Sequence, residues 1–295
     1  MNAITNAIMS HSKLHVSLIK IVSNGPLLHP PFQCPRSEDL GGDTDPLPGN
    51  LSRENVANPL ASLKTDATPD SFMMAIESRI TGTGPISSTI SAMTVDLVGP
   101  GGAFGQLALP VIKTTSSGTD VNIAPQLIAI TDRAAFRAFV HALLRDESLL
   151  LQLRNGKGTV QALGLSADIH YHKDCPLAGM HGPPTSIART EVVGAGYTST
   201  LVVSNPSPLE IDLGTLKQEL RSADGTVLAV QQGRAYLTRG ESRYVVTGKP
   251  TGQAAAGPEA VLVATGVVEA NWHNETITAF EASVVLPPEL LSLCA

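Results

Sequence analysis

The stretch that decides the fold is residues 205–249, which read NPSPLEIDLGTLKQELRSADGTVLAVQQGRAYLTRGESRYVVTGK. It opens with the motif NPSP, whose two prolines cannot continue a helix or a central strand, so a corner is predicted. From 209 to 213, leucine or isoleucine alternates with other residues at the strand period of two. The pair Asp224-Gly225 is a hairpin signal, because glycine tolerates the positive φ of the turn. Short strands with a turn between each predict an antiparallel β-sandwich.

A similar pattern occurs earlier in the chain. Residues 97–102 (LVGPGG) align without a gap on residues 220–225 (LRSADG), and residues 121–123 (VNI) then fall on 244–246 (YVV). Several matches in the same order indicate two copies of one β unit of about domain size. The sequence therefore predicts a mainly β protein with two tandem antiparallel β-sandwich units, at 70–188 and 189–290.

One amphipathic helix is predicted in the first unit, at residues 132–147, where Thr131 or Asp132 can cap the first turn. Large apolar residues recur at the spacing i, i+3, i+4, i+7 and i+8 and form one stripe: Phe136, Phe139, Val140, Leu143 and Leu144. Such a stripe packs against its own sheet, or the helix and sheet separate and hold an acyl chain between them. The corresponding segment of the second unit, residues 254–269, is rich in valine, and its type stays open between helix and strand.

Three other segments complete the organisation. Residues 1–69 contain closely spaced proline and glycine and predict a disordered arm. Residues 291–295 are predicted to form a short tail. The dipeptide Asn155-Gly156 predicts a hairpin turn within the first unit.

Composition excludes several classes of protein. Of 295 residues 42% are hydrophobic and 16% are charged, which is too apolar for general disorder. The net charge is −6 and no basic stripe is present, so nucleic acid is not an expected partner. No run reaches the roughly 18 apolar residues that a bilayer requires, so no transmembrane segment is predicted in this chain.

The motif at Asn205-Pro206-Ser207, followed by a strand ending Asp212-Leu213-Gly214, resembles the water-stress and hypersensitive-response (WHy) domain of late-embryogenesis-abundant type 2 proteins. The first copy resembles a fungal family of domains of unknown function, of the DUF 3712 type, in the same superfamily. The segments that carry this second resemblance are 72–76 (FMMAI), 87–90 (SSTI), 136–144 and 164–174.

The resemblance covers about residues 70 to 290 and implies immunoglobulin-like, WHy-type units. It also implies a non-enzymatic endomembrane protein, at the vacuolar membrane or in its lumen, with lipid or a membrane protein as partner. The first function it suggests is a lipid-binding or lipid-transfer module, for which the helix stripe would line the groove. The alternative is a structural or protein-interaction β-sandwich module without a small-molecule ligand.

Catalytic and metal-binding patterns are weak. The residues His170, His172, Cys175 and His181 match no established zinc spacing, so neither metal nor cofactor is expected. No GxSxG motif is present, and no catalytic residue is predicted. Asn50 and Asn274 begin Asn-x-Ser/Thr sequences and are candidate glycosylation sites.

Overall fold

A computed structural model describes residues 13–22, 68–83 and 85–294, which form a mainly β fold with two sheets and few helices. The mainly β prediction is confirmed. The strands in chain order are β1 (Lys13–Val22), β2 (Ser71–Thr81), β3 (Ser88–Ile90), β4 (Met93–Gly99), β5 (Gly102–Leu109), β6 (Ile112–Thr114), β7 (Thr119–Ala129), β8 (Ser148–Ala162), β9 (Leu165–Ala178), β10 (Thr185–Val193), β11 (Gly196–Asn205), β12 (Leu209–Arg221), β13 (Val227–Leu237), β14 (Gly240–Pro250), β15 (Glu259–Val267) and β16 (Glu281–Val285).

The helical segments are short. They are α1 (Arg133–Arg145), α2 (Pro288–Leu293) and two 3-10 turns, Trp272–Glu275 and Ile277–Ala279. Helix α1 lies within the predicted range, and the Asp132 side chain caps it by accepting the Ala135 N–H at 3.0 Å. The segment whose type was open contains strand β15, in keeping with its β-branched residues.

The larger sheet has the strand order β10-β11-β14-β13-β12-β1-β2-β7, and β15 pairs with both β12 and β16. The smaller sheet has the order β5-β4-β8-β3-β6, with β9 paired to β8. The first part of the chain thus contributes β1, β2 and β7 to the same sheet that holds every strand from β10 onward.

The prediction that residues 1–69 form a disordered arm is wrong for residues 13–22, which form strand β1. Ile19 and Ile21 are buried, and Lys20 between them lies 3.6 Å from the Glu210 carboxylate. This is the period-two pattern of a strand, hidden in the sequence by the polar residues around it. Apart from residues 68 and 69, the remainder of the arm lies outside the described residues.

Three further predictions from the sequence differ from the structure. The predicted boundary between 188 and 189 falls inside β10, and the predicted tail at 291–295 begins inside α2. Asn155-Gly156 does not form a hairpin turn: Asn155 has φ +59 within the continuous strand β8, beside a bulge in its pairing with β9. The turn between β8 and β9 is made by Leu163 and Gly164 instead.

The NPSP corner is held by side-chain to backbone hydrogen bonds. The Asn205 side-chain amide donates to the carbonyl oxygens of Leu209 at 2.8 Å and Thr238 at 3.1 Å. Its oxygen accepts the Ser207 N–H, and the Ser207 hydroxyl accepts the Leu209 N–H. Backbone groups that the prolines leave outside the sheet are thereby satisfied, so the chain turns from β11 into β12 without unpaired donors at these positions.

A buried polar chain crosses four strands of the larger sheet. The Tyr197 hydroxyl donates to Gln231 at 2.9 Å, Gln231 donates to Gln218 at 3.1 Å, and Gln218 donates to the Tyr244 hydroxyl at 3.0 Å. A Cβ atom on Gly248 would lie 2.5 Å from the Tyr197 hydroxyl, so glycine is required beside this ring. The network fixes the register of β11, β12, β13 and β14 within an otherwise apolar core.

Replacing Phe139 by alanine tests how tightly helix α1 is packed. Phe139 is 1% exposed and stacks on Phe104 with ring centroids 5.0 Å apart, so its truncation should lower the free energy of unfolding by about 3–5 kcal/mol. Urea unfolding measures this loss. Leu127→Ala, at a side chain that is 46% exposed, is the control and should lose well under half as much. A loss below about 1 kcal/mol for Phe139→Ala would instead indicate an open groove.

Candidate functional site

The helix stripe does not form an open groove. Phe136, Phe139, Val140, Leu143 and Leu144 are all buried, and Phe136 stacks on Phe72 at a centroid distance of 4.9 Å. A separate interior cavity, bordered by Ile76, Tyr171 and Cys175, holds only about 20 Å³. The expectation that the stripe lines a lipid groove is therefore not met, because its side chains pack in a closed core.

The histidines and cysteine considered for metal binding do not converge. His170 and His172 lie on the exposed face of β9, whereas Cys175 points into the core. Burial raises the pKa of the Cys175 thiol to about 11, so the sulfur stays protonated at neutral pH. Among the described residues, no group of three His, Cys, Asp or Glu side chains is placed to hold a metal ion.

The two candidate glycosylation sites have different outcomes. Asn274 is exposed on the 3-10 turn Trp272–Glu275, whereas Asn50 lies outside the described residues. Thr276, the third residue of the Asn274 sequence, is buried, and its hydroxyl lies 3.1 Å from His273 Nδ1.

The turn that carries Asn274 also borders a cavity that the sequence analysis did not identify. This cavity, of about 90 Å³, lies between the first turns of helix α1 and the segment 270–276. The residues that line it are Pro69, Ile130, Arg133, Phe136, Arg137, Ala270, Asn271, Trp272, Asn274, Glu275 and Thr276. We refer to it below as the Trp272 cavity.

The local sequence fixes the wall formed by residues 270–276. The Asn271 side-chain oxygen accepts the His273 N–H at 2.8 Å and so caps the 3-10 turn. The Trp272 ring packs edge-on against Phe136, with centroids 5.1 Å apart, and is tilted against Phe72 at 6.0 Å. The Asn271 amide and the Trp272 indole are thus both held in place by contacts with other residues.

Two side-chain nitrogen atoms of residues that line the cavity have no hydrogen-bond partner within the part of the chain that the structure describes. They are Asn271 Nδ2 and Trp272 Nε1, on residues that are 1% and 4% exposed. An unpaired buried donor costs roughly 1–3 kcal/mol.

Charged residues surround the cavity entrance. Glu275 accepts hydrogen bonds from Arg137 at 2.5 Å and from Arg133 at 3.2 Å, and Arg133 also pairs with Asp70. The Asp70 carboxylate raises the pKa of Arg133 above its ordinary value. These side chains are about half exposed, so each pair contributes little to stability. Their effect is to hold two guanidinium groups beside the cavity.

The same segment, 270–276, contains a buried histidine. His273 is fully buried, and desolvation lowers its pKa well below the ordinary range, so the ring is neutral in the folded protein. Its Nε2 atom also lacks a partner among the described residues. In the sequence this region contains the single tryptophan of the chain between an asparagine and a histidine, and the glycosylation pattern at Asn274 is the prediction that it supports.

Replacing His273 by asparagine tests the buried neutral state. The pKa of His273 is lower in the folded than in the unfolded protein. The contribution of this residue to the free energy of unfolding is therefore present above the unfolded-state pKa and is lost as the pH falls. Below about pH 6.5, the wild-type free energy of unfolding should therefore fall by up to about 1.4 kcal/mol for each unit by which the pH is lowered. His273→Asn should lack that slope in urea unfolding between neutral and mildly acidic pH. His170→Asn, on the exposed face of β9, is the matched control, and equal slopes in both variants would contradict the assignment.

No helix among the described residues is both long and apolar enough to span a bilayer. None of the curated proteins searched matches this chain.

Among solved structures, a red sea bream transglutaminase matches at 11% identity and a TM-score of 0.24, covering 74% of this chain and 29% of its own. The chain thus spans less than a third of that enzyme. A Mobiluncus mulieris adhesin with intramolecular cross-links matches at 10% identity and a TM-score of 0.18, over 66% of this chain and 72% of its own. The calcium binding domain CBD12 of CALX1.1 matches at 9% identity and 0.18, over 74% and 94%. Scores this low carry no argument about fold or function. Residues 102–220 match the family model described as a protein of unknown function, DUF3712.

Proposed function

We propose that this chain is a non-enzymatic protein-interaction module and that it docks a protein partner at the tip of the β8–β9 hairpin. Leu163 and Leu165 at this tip are 74% and 56% exposed. Leu163 has φ +52 and Gly164 has φ +75, the signs that a type I′ turn requires and that asparagine followed by glycine prefers. A leucine in this region costs roughly 1–2 kcal/mol. The proposal is based on this observation: the exposed leucine Leu163 occupies a strained backbone conformation.

A groove beside the tip supports docking. It has a volume of about 610 Å³ and is lined by Ser87, Ser88, Thr89, Lys113, Thr114, Thr115, Gln161, Ala162, Leu163, Gly164, Leu165 and Ser166. Hydroxyl and amide groups next to two exposed leucines suit a protein surface of mixed polarity. Lys113 is the one charged residue in this set, and no aromatic residue belongs to it. Membrane-binding surfaces are usually richer in both, so we favour a protein over a lipid surface.

We also propose that the chain contains two copies of one immunoglobulin-like, WHy-type unit. In the first, β2 pairs with β1 and β7, while β4 pairs with β5 and β8. In the second, β11 pairs with β10 and β14, while β12 pairs with β13 and β15. The next strands correspond as well, since β9 pairs with β8 and β16 with β15. This common order supports a repeat in which β1 is the counterpart of β10.

The resemblance to WHy-type proteins supports a place at the vacuolar membrane or in its lumen. The other function that it suggests, lipid binding or transfer, finds no support in the buried helix stripe. We therefore give the protein-interaction alternative precedence.

The double substitution Leu163→Asn and Leu165→Thr tests the docking point. Asparagine suits the left-handed turn, so the melting temperature should stay the same or rise, since relief of strain is worth about 1 kcal/mol. Proximity labelling in cells should nevertheless show loss of the neighbours found with the wild type. Val245→Thr, at an exposed position on β14, is the control and should retain them.

The same variants, as purified proteins, show whether the hairpin tip binds a protein or a membrane. Binding of the wild type to phospholipid vesicles, lost in the double variant, would replace the protein partner by a lipid surface. Identical neighbours for the wild type and the double variant would contradict docking at this tip.

A further inference from the structure

We propose that strand β10 pairs antiparallel with β10 of a second copy of this chain, so that one sheet runs through both copies. This inference is independent of the docking function, because β10 shares no residue with the β8–β9 hairpin tip or with the groove beside it. It rests on the place of β10 in the sheet, on the direction of its backbone groups and on the order of its charges.

Strand β10 ends the larger sheet, and among the strands that the structure describes it pairs only with β11. The opposite end of the same sheet, β7, is covered by a side chain. Gln126 on β7 accepts the Ala108 N–H at 2.9 Å and donates to the Ala108 carbonyl oxygen at 3.0 Å, which ties β7 to β5. An open strand edge presents N–H and C=O groups with which a further strand can pair, and β10 is such an edge.

The turn from β10 into β11 determines which backbone groups face the open edge. The two residues between these strands begin with Gly194, whose φ of +58 matches the first central residue of a type II′ turn. The pair that closes such a turn, Val193 with Gly196, exchanges backbone hydrogen bonds, and such pairs alternate along an antiparallel ladder. Thr190 and Val192 therefore direct their N–H and C=O groups away from β11, toward the open edge.

The charges of β10 complement those of a second copy related by a two-fold axis. Arg189 and Glu191 flank Thr190, pair with each other along the strand, and have side chains that are 74% and 55% exposed. An antiparallel pair centred on Thr190 places Arg189 of each copy directly opposite Glu191 of the other. Side chains in directly opposed positions are close enough for opposite charges to stabilise the pair. The backbone groups of Thr190 already face the open edge, so the same register also allows hydrogen bonds across the axis.

The length of regular pairing limits the strength of this contact. Beyond the two charged pairs, the register brings exposed Val192 near exposed Ala188 of the other copy. The bulge between Ile187 and Arg189 interrupts the ladder at that point. A short strand pair buries less surface than a permanent dimer requires, so we expect dimers that form and dissociate with protein concentration.

Sedimentation equilibrium of the full chain measures the dissociation constant of this dimer at low and high salt. We expect dimers that weaken as salt is raised, because the opposed charges are exposed. A monomer at every protein concentration up to about 1 mM would overturn the proposal. The double variant at the hairpin tip should dimerise as the wild type does, which separates this proposal from the docking function.

Two charge reversals test the register. Arg189→Glu gives a chain with two carboxylates at the edge, and Glu191→Arg gives a chain with two guanidinium groups. Each variant alone should dimerise about tenfold or more weakly than the wild type, because like charges then lie opposite each other. An equimolar mixture of the two variants should form heterodimers about as tightly as the wild type dimerises, since every opposed pair then has opposite signs.

Arg243→Glu is the matched control. Arg243 and Glu241 form a pair with the same spacing on β14, which lies between β11 and β13 in the sheet. This reversal should leave dimerisation unchanged, and an equal loss in the control would show that net charge rather than the β10 edge is responsible.

The remaining outcomes concern the variants on β10. Both reversals change exposed side chains, so urea unfolding should show that the variants stay folded. Wild-type dimerisation of Arg189→Glu would show that another surface makes the contact and would overturn the proposal. Two variants that do not associate when mixed would contradict the antiparallel register centred on Thr190.

Discussion

The parallel pairing of β1 with the start of β12 is the interaction on which the rest of the larger sheet depends. Ile19 and Ile21 lie opposite Leu209 and Ile211, and the Ile19 N–H donates to the Pro208 carbonyl oxygen at 3.1 Å. Among the strands that the structure describes, β1 alone joins β2 and β7 to the strands from β10 onward. Without it the chain would present two exposed sheet edges where one continuous sheet now runs.

Two carboxylates are buried at the start of β12, and β1 supplies a charged partner for one of them. Glu210 is 7% exposed and is met by Lys20 from β1 and by Arg239. Asp212 accepts hydrogen bonds from the Gly214 backbone and from Arg234, although burial still raises its pKa. A buried carboxylate is tolerated when such partners surround it, and the pairing of Glu210 with Lys20 favours one register of β1 on β12.

Much of the strand pattern could be predicted from sequence because burial on one face imposes a period of two. The run 209–213 and the turn at Asp224-Gly225 follow that rule. The rule does not locate a turn where the preference of a turn dipeptide competes with the pairing of two long strands. Asn155-Gly156 has the residues of a hairpin turn, yet β8 and β9 gain more paired backbone by continuing through it as a bulge. The same rule does not reveal β1 in the sequence, because polar residues around Ile19 and Ile21 hide its period of two.

The Trp272 cavity was beyond sequence reasoning for a related reason. Its two walls come from helix α1 and from residues 270–276, which no local pattern connects. The amphipathic stripe correctly located the buried face of α1, whereas the cavity lies beside Arg133 and Arg137 on its flank. The donor character of Asn271 emerges only once its oxygen is seen to cap the turn. An asparagine whose oxygen caps a turn, and whose amide nitrogen has no partner among the described residues, looks the same in sequence as any loop asparagine.

The late arrival of its partner gives β1 a consequence for biosynthesis. The segment of β12 that closes over β1 is synthesised more than 180 residues after it, which at about 5–20 residues per second is a delay of roughly 10–40 s. During that interval β1 can pair with β2, but its other edge has no partner within the chain yet made. A nascent chain with an open, apolar strand edge is prone to join a second copy of itself. Association between nascent chains therefore competes with folding until residues 209–211 are available to cover this edge.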